Sequence, residues 1–232
     1  MPSASRRSLA CRAKEATVLA PDDRFGGIDG IVTSDDELRS IIGTPTPQVI
    51  AKVTDRLDSI CTEFIAKSPF CVVASSDPSG TIDLSPKGDP PGFVRVLDEH
   101  RLVIPDRPGN RRIDTFRNLM RDPRVGLIFI IPGRGETLRI AGEARVVRDA
   151  ALLRSLQVKG KVPVLALVVY VVHAFMHCPK CMVRSGIWQP QQWPDSDDLA
   201  DIGAAMIAHG KLDKTPEQMY EDAQRAGLTQ LY

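Results

Sequence analysis

The spacing of apolar residues along this chain first changes near position 70. Upstream of position 70 the apolar positions fall at three- and four-residue steps, the helical period; downstream they tend to alternate with polar ones, the strand period. Ser34, with Glu37 three positions on, opens a short helix that Gly43 ends. Thr46-Pro47 starts a second, in which Val49, Ile50, Val53, Leu57, Ile60, Cys61, Phe64 and Ile65 share one face, so a single helix is predicted to run to about Ile65. Residues 70–75, the turn Asp77-Pro78-Ser79-Gly80 and residues 81–84 predict a hairpin. Further strands are predicted at 93–97, 102–104, 125–131, 136–147 and 162–172, with Pro132-Gly133 as punctuation. Helical spacing returns at 111–120, where Ile113, Phe116 and Met120 line up, and at 149–156, 199–208 and 216–226.

Six or seven strands with short helical inserts and no regular strand–helix alternation predict a mainly β (α+β) fold, an antiparallel barrel with peripheral helices. A parallel doubly wound sheet fits poorly. The expected organisation is an N-terminal extension (1–34), a helical preamble packing on the barrel (35–67), the barrel (68–194) and an acidic helical tail (195–232).

At 232 residues the chain is long enough to bury roughly two-thirds of its unfolded surface. Its 30 Lys plus Arg against 29 Asp plus Glu argue against a wholesale binder of nucleic acid or anionic membrane. No apolar run reaches the length of a membrane-spanning helix. The first residues carry Arg6, Arg7, Arg12 and Lys14 with no acid before Glu15, which leaves two readings open, a cleaved organelle-targeting peptide and a loose basic tail. Five cysteines, Cys11, Cys61, Cys71, Cys178 and Cys181, suit free thiols in a reducing compartment, and a cytoplasmic location is expected.

The neutral total conceals a dipolar chain. Residues 101–124 hold seven arginines against three aspartates, a local charge of +4, whereas the tail from Asp195 holds three bases against eight acids, a charge of −5. Within the basic stretch, Leu102-Val103-Ile104-Pro105 predicts a strand, Asp106-Arg107-Pro108-Gly109 a turn, and Asn110-Arg111-Arg112 the mouth of a helix. Such a turn offers a phosphate free backbone N–H groups, an Asn side chain and two guanidinium groups. A solvated basic helix face is the plainer reading of the same pair.

The run LVIPDRPGNRRIDTFRNLMRDPRVGLIFI resembles the flavin-binding core of the pyridoxamine 5'-phosphate oxidase-like family, the FMN-binding split barrels. The phrases SPKGDPPGFVRVLD, PDRPGNRR, PGRGETLRIAGEA and HCPKCMVRSGIW are similar to an uncharacterised flavin-binding subgroup of it. The resemblance implies a split barrel and FMN as cofactor. It places Lys87 close to the flavin, the backbone of Ile104, Pro105 and Asp106 along the ring edge, Asn110, Arg111 and Arg112 around the phosphate, and Thr137 with Arg139 on the pyrimidine side. It also implies a homodimer whose flavin sites draw on both subunits, with Lys180, Arg184 and Trp188 as the residues that complete the partner's site. Asp106 departs from the family's usual Ser or Thr and is expected to pair with Arg107 or Arg111. The basic Arg- and Pro-containing finish of true pyridoxamine 5'-phosphate oxidases is replaced here by the acidic tail, so the resemblance supports FMN better than it supports that substrate.

Cys178-Pro179-Lys180-Cys181, with His173 and His177 nearby, has the gap used by zinc knuckles and thiol redox sites. Without a second such pair, a turn capping the last strand is favoured and no metal is expected. His100 and His209 read as surface residues. The function implied is a flavoprotein, an FMN-dependent oxidoreductase of a small molecule with NADH or NADPH as donor. The alternatives are a non-catalytic flavin-binding or stress-related module and a barrel holding haem or a deazaflavin. No side chain stands out as a catalytic acid or base.

Overall fold

The structure is a computed structural model and describes residues 25–232. The basic N-terminal stretch and Cys11 lie outside the described residues. The chain divides into two units, Met1–Pro47 and Gln48–Tyr232. In the first, helix α1 (Asp35–Ile42) starts where its cap predicts: the Ser34 hydroxyl accepts the Glu37 N–H at 3.2 Å, and Gly43, at φ 82°, ends it.

The second unit is built on one antiparallel sheet of seven strands: β1 (Phe70–Ser76), β2 (Ile82–Gly88), β3 (Arg95–Asp98), β4 (Arg101–Pro105), β5 (Arg124–Ile130), β6 (Thr137–Val147) and β7 (Ala166–His177). The spatial order is β2-β1-β5-β6-β7-β4-β3, and the outermost strands, β2 and β3, do not pair with each other. The fold is thus the mainly β, split-barrel class that the strand pattern predicts, with its sheet left open. Helix α3 (Ser59–Lys67) precedes β1; α4 (Asp114–Arg121), α5 (Ala150–Ser155), α6 (Lys180–Ser185), α7 (Ile202–Gly210) and α8 (Pro216–Arg225) are inserted between strands or follow them, and α2 (Pro47–Ala51) spans the boundary between the units.

Alternation produces the core. Cys71, Val73 and Ser75 of β1 are buried while their neighbours are half-buried or exposed, and β5 repeats the pattern with Val125, Leu127 and Phe129. The apolar members of both strands meet Leu102 and Ile104 of β4, Leu138 and Ile140 of β6, Val169 and Val171 of β7, and Phe64 and Ile65 of α3 in one cluster. Val103 and Ala166 face the other way, onto Leu153 and Leu156 at α5.

Three boundaries differ from the periodicity. The helix predicted from Pro47 to Ile65 is broken, because Thr54 exchanges backbone hydrogen bonds with Ala174 of β7 (2.9 and 2.8 Å) and Asp58 then recaps the chain by accepting the Cys61 N–H at 2.8 Å. The helix predicted from position 111 begins at Asp114 instead, since Arg111 and Ile113 adopt left-handed conformations (φ 59° and 57°). Strand β7 starts later than predicted and continues through His177, placing Cys178 immediately after it. Among the described residues no helix is long and apolar enough to cross a membrane.

Candidate functional site

A cleft of about 620 Å³ opens where β2, the end of β4 and the turn into α4 converge. Three separate stretches line it: residues 83–87, residues 106–116 and residues 161–165, joined by Gly227 and Tyr232 from the tail. The volume lies within the range of small-molecule sites, about 300–1,000 Å³. Of the residues singled out in the sequence, Lys87, Asp106, Asn110, Arg111 and Arg112 border this one cleft. Ile104 and Pro105 are buried just behind it on β4, whose pairing with β7 is continued by the Asp106 N–H donating to the Leu165 carbonyl at 3.0 Å.

Buried polar contacts fix helix α4 against the sheet, and with it the mouth of the cleft. The Thr115 hydroxyl donates to Asp83 of β2 at 2.8 Å, and the Asn118 amide donates to Ser75 of β1 at 3.1 Å. Lys87 extends over the Phe116 ring, its Nζ 5.9 Å from the centroid. The turn before α4 is strained: two non-glycine residues sit in the left-handed region, and the Asn110 carboxamide oxygen steadies them by accepting the Arg112 N–H at 3.1 Å. Ile113 caps α4 without any side-chain hydrogen bond, so the first N–H groups of the helix have no side-chain acceptor at its cap. Arg112 is held by Asp114, Nε to Oδ2 at 2.6 Å. Arg111 and Arg112 are both exposed.

Asp106 is not paired as the sequence suggests. Arg107 turns to the nearly buried Asp89, Nε to Oδ2 at 2.6 Å, and donates a further bond to the Leu156 carbonyl at 3.1 Å. Burial then raises the Asp106 carboxyl above the usual aspartate value, with Lys87 and Arg107 offsetting part of the rise. His100 also departs from expectation: its ring stacks on Tyr170 at 5.6 Å, and its buried Nδ1 has no partner among the described residues.

The remaining site candidates lie elsewhere in the chain. Thr137, buried, and Arg139 border a second hollow of about 410 Å³ on the outer face of the sheet, with Val72, Ala74, Ile128 and Phe175. Arg139 rests its guanidinium 5.4 Å from the Phe175 centroid. Leu84 borders both hollows. Lys180 and Arg184 are exposed on α6, and Trp188 beyond it donates from Nε1 to the Arg134 carbonyl at 2.8 Å; none of the three borders the cleft of their own chain. Cys178 and Cys181 are exposed, and among the described residues no group of three or more His, Cys, Asp and Glu could hold a metal ion.

Sequence reasoning missed Asp89, Lys161, Gly227 and Tyr232. Asp89 lies within the phrase SPKGDPPGFVRVLD but is given no role by it, and the tail residues come to the cleft only through long-range contacts.

Fold and cleft together describe a mainly β protein with a cleft at the strand-to-helix turn that is lined by several basic side chains. The chain belongs to the pyridoxamine 5'-phosphate oxidase family, whose model matches residues 57–178. No curated protein matches it. Among solved structures it is similar to HupZ from Group A Streptococcus, at 19% identity over 51% of this chain and 92% of that one, with a TM-score of 0.43. A putative pyridoxamine 5'-phosphate oxidase from Lactobacillus delbrueckii shares 19% identity over 53% of this chain and 95% of that one, with a TM-score of 0.42. General Stress Protein 26 from Bacillus anthracis shares 12% over 50% and 88%, with a TM-score of 0.39.

Proposed function

We propose that this protein binds FMN and works as a flavin-dependent oxidoreductase of a small molecule. One observation carries the reading: Lys87, Asn110, Arg111 and Arg112, drawn from a strand and from the strained turn before α4, border a single cleft together. A phosphate monoester carries about −1.5 to −2 at neutral pH, which two guanidinium groups, an ammonium and the N–H groups of an α4 terminus without a side-chain cap are suited to hold. Asp114 competes for Arg112, so Arg111 is the principal guanidinium.

Bound there, FMN would supply hydride transfer at its N5, the chemistry belonging to the cofactor. The chain's own residues position it. The turn takes the phosphate, the end of β4 offers its backbone to the ring, and Lys87 supplies a cation steadied over Phe116. The second hollow suits a homodimer: its half-exposed apolar lining of Val72, Ala74, Ile128 and Phe175 would be covered by a second copy, and Thr137 and Arg139 would then face the shared ligand. Lys180, Arg184 and Trp188, remote from their own cleft, would reach the partner's.

The decisive experiment is the visible spectrum of the purified protein beside that of the Arg111→Ala/Arg112→Ala double variant. The wild type is expected to be yellow and to release FMN on denaturation, and the variant to be colourless. Full FMN retention in the variant would remove the phosphate assignment. Anaerobic mixing of the holoprotein with NADH or NADPH then separates an enzyme, whose flavin bleaches and reoxidises with an acceptor, from a non-catalytic carrier, whose flavin does not.

A further inference from the structure

The acidic tail contributes two residues to the cleft wall, Gly227 and Tyr232, which follow the last strand in the chain. Helix α8 stops in a glycine cap: Gly227 takes φ 69°, its N–H donates to the Gln224 carbonyl and the Leu228 N–H donates to the Ala223 carbonyl, both at 2.9 Å. This cap lies against the phosphate turn, because a Cβ added at Gly227 would meet Nη2 of Arg111 at 3.7 Å. Five residues later Tyr232, which also lines the cleft, is tied to the loop after β2. Its hydroxyl donates to Oδ1 of Asp89 at 2.6 Å, and Lys159 sits over its ring with Nζ 4.8 Å from the centroid.

Asp89 is a strong anchor. Its side chain is 1% exposed, its second oxygen is already held by Arg107, and its N–H donates to the Pro69 carbonyl at 3.1 Å. The phenol therefore completes the acceptor set of a fixed, buried carboxylate. Five residues span at most about 18 Å when extended, enough to cross the mouth of a site of this size. Both ends of the segment, Gly227 and Tyr232, line the cleft.

We propose that residues 227–232 form a strap across the cleft mouth, with Tyr232 as its latch, and that this strap retains a phosphate-bearing ligand and excludes one that extends beyond its phosphate. A phosphate monoester ends at Arg111 and fits under the strap. A dinucleotide continues from the same phosphate and meets the α8 cap at Gly227. The proposal rests on the phosphate reading of the cleft and adds to it which ligands the site admits and how long it keeps them.

The test compares the full chain with Tyr232→Phe, which keeps the ring and loses the hydroxyl, and with a variant lacking residues 228–232. FMN dissociation is followed by recovery of flavin fluorescence on dilution. Dissociation is expected to quicken about 3-fold in Tyr232→Phe and about 10-fold or more in the shortened chain, as loss of one hydrogen bond and of the whole latch imply. FAD should bind weakly to the full chain and gain on FMN in the shortened one. A second readout needs no flavin: labelling of Lys87 by an amine-reactive ester in ligand-free protein, quantified by mass spectrometry, should quicken in both variants. Unchanged labelling together with unchanged dissociation overturns the strap while leaving the FMN reading intact. Faster labelling in a protein that binds no FMN overturns the FMN reading and leaves the strap standing.

Discussion

Asp89 and Arg107 form the most enclosed ion pair among the described residues, Oδ2 to Nε at 2.6 Å, with side chains 1% and 15% exposed. The pair ties the loop after β2 to the loop after β4 and so fixes two rims of the cleft against each other. Removing the carboxylate strands the guanidinium. Asp89→Ala is expected to cost about 3 kcal/mol in urea unfolding, the range for breaking a largely buried pair by deleting one partner. Tyr232→Phe removes one hydrogen bond to the same carboxylate and should cost about 1 kcal/mol or less. A cost for Asp89→Ala no larger than that for Tyr232→Phe would show that the pair contributes little.

The bulge between β6 and β7 makes a sharper prediction. Register slips between Ala141 and Gly142, so that Ala141 faces His173 and Gly142 faces Val171 with Val172 left over. A Cβ on Gly142 would press into the carbonyl oxygen of Tyr170, well inside van der Waals contact, and lie 3.0 Å from that residue's carbonyl carbon. Both obstacles are backbone in the middle of the sheet and cannot swing aside. Gly142→Ala is expected to lose about 3 kcal/mol, the upper end of ordinary overpacking costs, whereas Gly133→Ala, in an exposed turn with nothing near its Cβ position, tests the effect of the left-handed backbone alone. Thermal melts of the two variants decide it.

How much of this was legible depends on the range of the interaction. Strands β1, β5 and β6 announce themselves because Val73, Leu127 and Ile140 and their neighbours alternate within a few residues, and alternation is a local property. The cationic turn is equally local, since Asn110, Arg111 and Arg112 are adjacent. The break before α3 is not local: Thr54 leaves the helical pattern to bond Ala174, 120 positions away. The delayed start of α4 follows from left-handed backbone at Arg111 and Ile113, residue types that give no warning of it. Arg107 takes Asp89 rather than the adjacent Asp106, and Tyr232 finds the same carboxylate from 143 positions away. Composition could place charge in this region but could not choose among partners brought together by the fold.

Cysteine reactivity separates the thiols by depth. Burial pushes Cys71 up to about 12 and Cys61 up to about 11, the latter with help from the hydrogen bond to Asp58, so neither forms thiolate at neutral pH. Cys178 and Cys181 are exposed. In a Cys11→Ser background, a chromogenic disulfide reagent is expected to titrate two thiols at once and two more only after denaturant is added. Rapid reaction of a third thiol in the native protein would show that α3 or β1 opens readily.

Asp106 gives a pH dependence whose sign follows from its burial. Its folded pKa lies above the aspartate value of 3.8, because desolvation outweighs the pull of Lys87 and Arg107. A carboxyl with a raised folded pKa holds its proton more tightly in the native state. The stabilisation this brings is complete below 3.8 and is lost as the pH rises through the folded value, so at neutral pH the ionised carboxylate is a net cost. Asp106→Asn should therefore be more stable than the wild type at pH 7, with the advantage shrinking as the pH is lowered towards the aspartate value. An advantage that stays constant between the two conditions would assign the effect to shape or hydrogen bonding instead of charge. The same substitution bears on the proposed cofactor, since removing a negative charge beside the ring favours the reduced, anionic flavin. The midpoint potential of the FMN-loaded protein is expected to rise in Asp106→Asn, and an unchanged potential would place the carboxylate away from the ring.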